Sequence, residues 1–282
     1  MPVIQILNDE MTSPTGKGPY FSNPDYTSRI FDMSLAELAT SLLEDMTKFE
    51  ADQTGCPRKT LQEARQWTDF HNHPDVVEDW ENSNQEPDDY EGPEWFYGAL
   101  ASFVFSIKCL YGTYKFLKQT YPDFSPKTIV DWGAGLGMHS IICATLWPES
   151  KVYYYNLPGL QTKFVKNVLK PGYGVDNVII KTKREKLPSK ADLILSFEVL
   201  EHMKEPTVAA EDLLKLDPEF IAVSFSFTAP CRGHFTYFDV GDYQIPREEV
   251  TRYVNDVFRT KYKAVGHGWN ARPVVWKRDE KR

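Results

Sequence analysis

The stretch Thr128-Ile-Val-Asp-Trp-Gly-Ala-Gly-Leu-Gly137 gathers residue types that let a backbone hold a ligand. A short β-branched run delivers the chain to a turn where Gly133, Gly135 and Gly137 permit positive φ and remove side chains. A ligand can then approach the main chain itself, with the N-terminus of the next helix behind it. The spacing discriminates between nucleotides. A dinucleotide pattern, G-x-G-x-x-G, needs glycine at 138, where this chain has Met138; the third glycine comes one residue earlier.

This Asp-x-Gly-x-Gly-x-Gly arrangement resembles motif I of class I methyltransferases. A second segment, Ala191-Asp-Leu-Ile-Leu-Ser-Phe-Glu-Val-Leu-Glu-His-Met-Lys-Glu-Pro206, looks like the EVLEH segment of many small-molecule methyltransferases, including those of the ubiquinone pathway. The resemblance covers about Lys127 to Lys277 and implies S-adenosylmethionine as cofactor. It puts Gly133, Ala134, Gly135 and Gly137 under the methionine part of that cofactor. Asp131 would orient the turn or receive the cofactor's amino group. Ser196, Phe197 and Glu198 would end the fourth strand beside the methyl donor, and for Glu198 and Glu201 helix N-terminal charge stabilisation is the alternative role. Two positions depart from the pattern. The second strand ends in Asn156 rather than an acid, although an amide can still accept one ribose hydroxyl and donate to another. Lys183 stands where an acceptor for the adenine amino group is usual.

Methyl transfer depends mainly on aligning donor and acceptor, and a hydroxyl acceptor adds the need for a general base. His202 and His234 are the candidates, each also readable as a structural histidine. The loop Thr228 to Tyr243 follows the fifth strand and offers Arg232, Phe235 and Tyr237 for substrate, with Cys231 as a nucleophile if the acceptor is a pyrimidine. The expected acceptor is a small molecule, with a nucleotide or nucleic-acid base acting through Cys231 as the alternative and a non-catalytic cofactor-binding scaffold third. His71 and His73 lie beside Asp75 without a third convergent ligand, so no metal is expected.

Strands must deliver these residues to one edge. Lys127–Asp131, Lys151–Asn156, Asn177–Lys181, Ala191–Ser196 and Phe220–Phe227 alternate with the helices Met138–Trp147 and Gly159–Leu169 and with a helix lined by Ala209, Leu213 and Leu216. That order requires crossover connections and a parallel sheet covered on both faces. A helix over Arg247–Arg259 and two strands, Tyr262–His267 and Pro273–Lys277, follow, the strands close enough to pair antiparallel. The expected fold is therefore α/β, a doubly wound, mostly parallel seven-stranded sheet over residues 127–282, with an N-terminal mostly helical extension. Residues 1–30 read as an irregular arm. Residues 31–126 read as a helical cap: a helix begun by a capping box at Ser34 and Glu37, another within Lys59 to Phe70, and an apolar helical region from Pro93 to Thr120, broken near Gly112.

Charge is concentrated. Nine acidic residues and no Lys or Arg lie between Asp75 and Glu94, more than the whole net charge of −8. The stretch reads as a solvated acidic loop and disfavours duplex nucleic acid as a partner. Four scattered cysteines suit a reducing cytoplasm, and no apolar run spans a membrane.

Overall fold

The computed structural model describes residues 35–68, 70–83, 85, 93–100, 103–267 and 273–281. The arm 1–30, the Ser34 cap and residues 86–92 of the acidic stretch lie outside them. Five strands, β1 (Thr128–Trp132), β2 (Lys151–Tyr155), β3 (Val178–Lys181), β4 (Leu193–Phe197) and β5 (Phe220–Ser224), run parallel; β8 (Tyr262–His267) and β9 (Val274–Arg278) complete a seven-stranded sheet. Its order is β3-β2-β1-β4-β5-β9-β8, with β9 antiparallel to both β5 and β8. The expected doubly wound sheet is thus observed, strand for strand.

Alternation along each strand divides the core. Ile129, Leu193, Leu195 and Ala222 face one side, Val130, Ile194, Ile221 and Val223 the other, and all are buried. The first side is covered by α1 (Leu35–Thr54), α5 (Phe103–Thr120), α6 (Met138–Leu146) and α7 (Leu160–Phe164), the last running on through a π turn at Val165–Leu169. Leu38, Leu42 and Met46 of α1 repeat at helical spacing and join that core, with Ile107 and Leu110 of α5. The second side is covered by α8 (Pro206–Leu214) and α9 (Arg247–Arg259), through Leu213, Val250, Val254 and Phe258. Between α1 and α5 lie α2 (Leu61–Thr68), begun by a reciprocal Thr60–Glu63 capping box, α3 (Pro74–Glu81) and α4 (Pro93–Gly98).

Three local expectations are corrected. The apolar region after Pro93 divides after Gly98, not near Gly112, which sits inside α5; the Leu100 N–H turns back to the Tyr97 carbonyl at 2.9 Å. The acidic stretch begins as helix α3, not as loop, because Trp80 anchors it: the indole is buried and donates to the His234 carbonyl at 2.7 Å. The loop after β5 contains a hairpin, β6 (Tyr237–Val240) with β7 (Tyr243–Pro246), turned at Gly241-Asp242 with Gly241 at φ 58°. Among the described residues no helix is long and apolar enough to cross a membrane.

The turn between β1 and α6 is held from two sides. The Gly133 and Ala134 N–H groups both donate to the Tyr155 carbonyl, at 2.9 and 3.0 Å. A Cβ on Gly137, which has φ 73°, would meet Val165 Cγ2 at 2.7 Å and Tyr154 at 3.1 Å. Gly137→Ala should therefore cost about 2–3 kcal/mol of stability, from left-handed strain plus overpacking, read as a lowered urea midpoint at unchanged m.

Candidate functional site

The strand order reverses between β1 and β4, which opens a crevice at the carboxyl ends of the strands. A cavity of about 530 Å³ lies there, within the size range of small-ligand sites. Its floor is the turn from Gly133 to Gly137. These glycines differ in what they do. At Gly133 a Cβ would strike Val199 at 2.5 Å, so this residue, like Gly137, is small for packing. At Gly135, φ 49°, a Cβ would have no atom within 4 Å. Gly135 is the position where the main chain faces open space in the cavity.

Around this floor stand Asn156 at the end of β2, Phe197 and Glu198 at the end of β4, His202 just beyond, and Ser226, Cys231, Arg232 and His234 from the loop after β5. The N-terminal region supplies His71 and Trp95, whose rings lie 4.3 Å apart. Asn156 Nδ2 donates to Gln161 Oε1 at 2.9 Å, and Gln161 Nε2 donates to the Trp95 carbonyl at 2.8 Å. That chain joins β2, α7 and α4 along one wall. Trp95 is within 5.9 Å of His202, and the His202 and His234 rings meet edge to face at 4.6 Å.

Not every anticipated residue reaches the cavity. Asp131 is buried behind the turn, where its carboxylate accepts the Ser140 hydroxyl at 2.6 Å; it orients the turn's exit into α6. Ser196 is fully buried within β4 and does not line the space. Phe235 is corrected from substrate contact to core: it is 1% exposed and packs on Trp80 and Phe238. Its position in a loop hid the fact that β6 draws the loop back over α8. Tyr237 is corrected too, being 53% exposed on the hairpin and away from the cavity. Lys183 lies off the cavity wall, and its carbonyl accepts the Lys186 N–H. Conversely, Trp95, His139 and Gln161 line the site without having been anticipated. His139 follows the glycine turn directly in sequence, and that adjacency was the available signal.

Three imidazoles of the wall, His139, His202 and His234, are shifted toward the neutral form. Burial, with His234 adding to it, pushes His202 down to about 3, and burial lowers His139 and His234 as well. His234 Nδ1 pairs with the Ala229 carbonyl at 2.8 Å. Cys231 is pushed up to about 12 by burial, so its thiol is protonated and donates to the Arg232 carbonyl at 3.4 Å. A pyrimidine nucleophile needs a thiolate, so this environment speaks against that use. No group of three His, Cys, Asp or Glu among the described residues is arranged to hold a metal.

The sheet order and the glycine turn at its reversal decide the fold. It is the class I methyltransferase fold. No family model and no curated protein matches the chain in sequence. Among solved structures, the chain is similar to the N-terminal domain of EvdMO1 with SAH bound (14% identity, covering 77% of this chain and 96% of that one, TM-score 0.46). It spans only 39% of the longer EvdMO1 chain. It is also similar to an rRNA methylase from Escherichia coli (11% identity, 98% and 100% covered, TM-score 0.44) and to a SAM-dependent methyltransferase from Aquifex aeolicus (16%, 54% and 82%, TM-score 0.38).

Two outcomes follow from this packing and burial. Phe235→Ala should cost about 3–5 kcal/mol of unfolding free energy, whereas Tyr237→Ala should stay within about 0.5 kcal/mol; chemical denaturation measures both. A histidine held neutral when folded takes its proton only on unfolding. The unfolded state therefore binds more protons below 6.5, and stability falls as pH drops from 6.5 toward 3. His202→Phe should flatten that slope in denaturation curves taken across the window.

Proposed function

We propose that this chain is an S-adenosylmethionine-dependent methyltransferase acting on a small-molecule acceptor. The observation that carries the reading is Gly135: a left-handed residue at the sheet's reversal point, with open cavity where a side chain would be. Backbone exposed in this way is suited to a ligand that lies flat on the main chain. S-adenosylmethionine, when bound, supplies an electrophilic methyl group on a sulfonium. Gly133 to Gly137 would hold its amino-acid end, and Asn156 its ribose through the oxygen not engaged by Gln161. Phe197 and Glu198 would flank the reacting region. Trp95 and His71 would close the N-terminal helices over the acceptor as a cap, and Arg232, stacked on Phe70 at 5.4 Å, would meet an anionic group of the acceptor at the mouth. The neutral, protonated Cys231 favours this acceptor class over a pyrimidine base. The free state of all four cysteines fits a reducing cytoplasm as the place of work.

S-adenosylhomocysteine should raise the melting temperature of the full chain, and NAD should not. Gly135→Asp should abolish the shift, because its carboxylate would occupy the space where the ligand lies. An equal shift from NAD, or a full shift in Gly135→Asp, would overturn the cofactor assignment.

A further inference from the structure

Behind the cavity, the ends of β4 and β5 are tied together by two glutamates and one serine. The Ser226 hydroxyl donates to Glu198 Oε2 at 2.7 Å, and the Ser226 N–H donates to Glu201 Oε1 at 2.8 Å. The other oxygen of each carboxyl, Glu198 Oε1 and Glu201 Oε2, is buried and receives no hydrogen bond from the described residues. Glu201 is wholly inaccessible, whereas Glu198 borders the cavity. Two carboxylates so placed cannot both ionise cheaply. The asymmetry of burial decides which keeps the proton: burial first, then the charge of Glu198, holds Glu201 protonated. A protonated Glu201 has one O–H, and Glu198 is the acceptor beside it.

Glu198 is the member of the pair that borders the cavity, and no cation is paired with it among the described residues. The titratable groups that face the pair from the β5 loop are His234 and Cys231, and from its own segment His202; burial keeps all three uncharged. Glu198 is also held at φ 54°, a left-handed conformation that an ordinary side chain adopts only under constraint. A carboxyl group that borders the cavity on a left-handed backbone, with Ser226 and Glu201 beside it, is placed to receive a proton from a ligand.

We propose, resting on the methyltransferase reading, that Glu198 is the base that removes the proton of an acceptor hydroxyl, and that Glu201, buried behind it and tied to the same Ser226, holds it in place. The acceptor's O–H bond breaks and its proton passes to Glu198. The oxygen's electron pair forms the bond to the methyl group, and the sulfur keeps the pair of the broken C–S bond. One proton is released for each hydroxyl methylated, and Glu198 is where it goes. The site is thereby an O-methylation site, and Glu201 is a positioning residue that acts through Glu198.

The test uses the full-length protein saturated with S-adenosylhomocysteine and titrated by infrared difference spectroscopy. A protonated-carboxyl C=O band should persist at pH 7, vanish in Glu201→Gln, and titrate at lower pH in Glu198→Gln. In parallel, labelled methyl transfer from S-adenosylmethionine into a small-molecule cell extract should give O-methyl products. Glu198→Gln should slow that transfer by about 100-fold or more, with S-adenosylhomocysteine affinity held within about threefold. Glu201→Ala should slow it as well, and Glu201→Gln, a neutral donor of the same shape, should recover it. The proposal is overturned if the ligand binds but the band is missing at pH 7, if Glu198→Gln keeps its rate within about threefold, or if the products are N- or C-methylated. Failure of S-adenosylhomocysteine to bind the unaltered protein would instead sink the methyltransferase reading beneath it.

Discussion

Everything in the site hangs on the Tyr155 carbonyl. As the last acceptor of β2 it takes two donors, Gly133 and Ala134, and so pins the start of the β1–α6 turn to the neighbouring strand. With that end fixed, the chain must leave through three left-handed residues to reach α6, and only glycine does so without strain. Val199, at the end of β4, then packs where Gly133 lacks a side chain, and Tyr154 and Val165 pack where Gly137 lacks one. The three strands that border the reversal point are locked to each other through absent atoms. Gly135, between the two packed glycines, is left facing the cavity.

Electrostatics sorts the wall by depth. Deep groups are kept neutral by the cost of charging them in a dry surround, which applies to His139, His202, His234 and Cys231 alike. Asp131 is the deepest carboxyl near the turn, and it is spent on Ser140 and the neighbouring His139. Among the described residues, what remains for ligand chemistry is the carboxyl edge of Glu198 and the guanidinium of Arg232. A site built in this way tolerates a cationic or polar ligand at one place and aromatic surface elsewhere, from Trp95, Trp132 and Phe197.

Much of this was legible in the residues. Each strand of the sheet was signalled by its apolar run, and α9 and β8 agree with their expected bounds because periodicity and flanking turns coincide there. The glycine turn was readable because its spacing has one physical use. The N-terminal cap was readable as helices, but not which of its residues reach the cavity: the His71 ring sits where a Cβ on Gly98 would meet it at 2.3 Å, and the Trp95 ring where a Cβ on Gly233 would meet it at 2.5 Å. Contacts of that kind depend on two segments meeting, and neither segment announces the other. Phe235 failed for the same reason, since an aromatic residue in a loop looks the same whether it meets a ligand or a tryptophan. The acidic stretch misled through its charge, because Trp80, its buried anchor, sits among residues that face water.

The links between α3 and the loop after β5 bear on how the molecule is made. Trp80 reaches the His234 carbonyl, Gln85 pairs with Thr236, Glu81 with Arg247, and the His71 carbonyl receives the Arg232 N–H. Each joins residues about 150 or more positions apart, the kind of closure that comes late because its loop entropy is lost before any contact repays it. On the ribosome, residues 70–85 emerge long before the partners they need, and they must wait, apolar side chains and all, until the chain has passed Arg247. The roof of the cavity therefore forms only once Arg247 has been made, and a nascent chain lacking its final third has a glycine turn but no enclosed site.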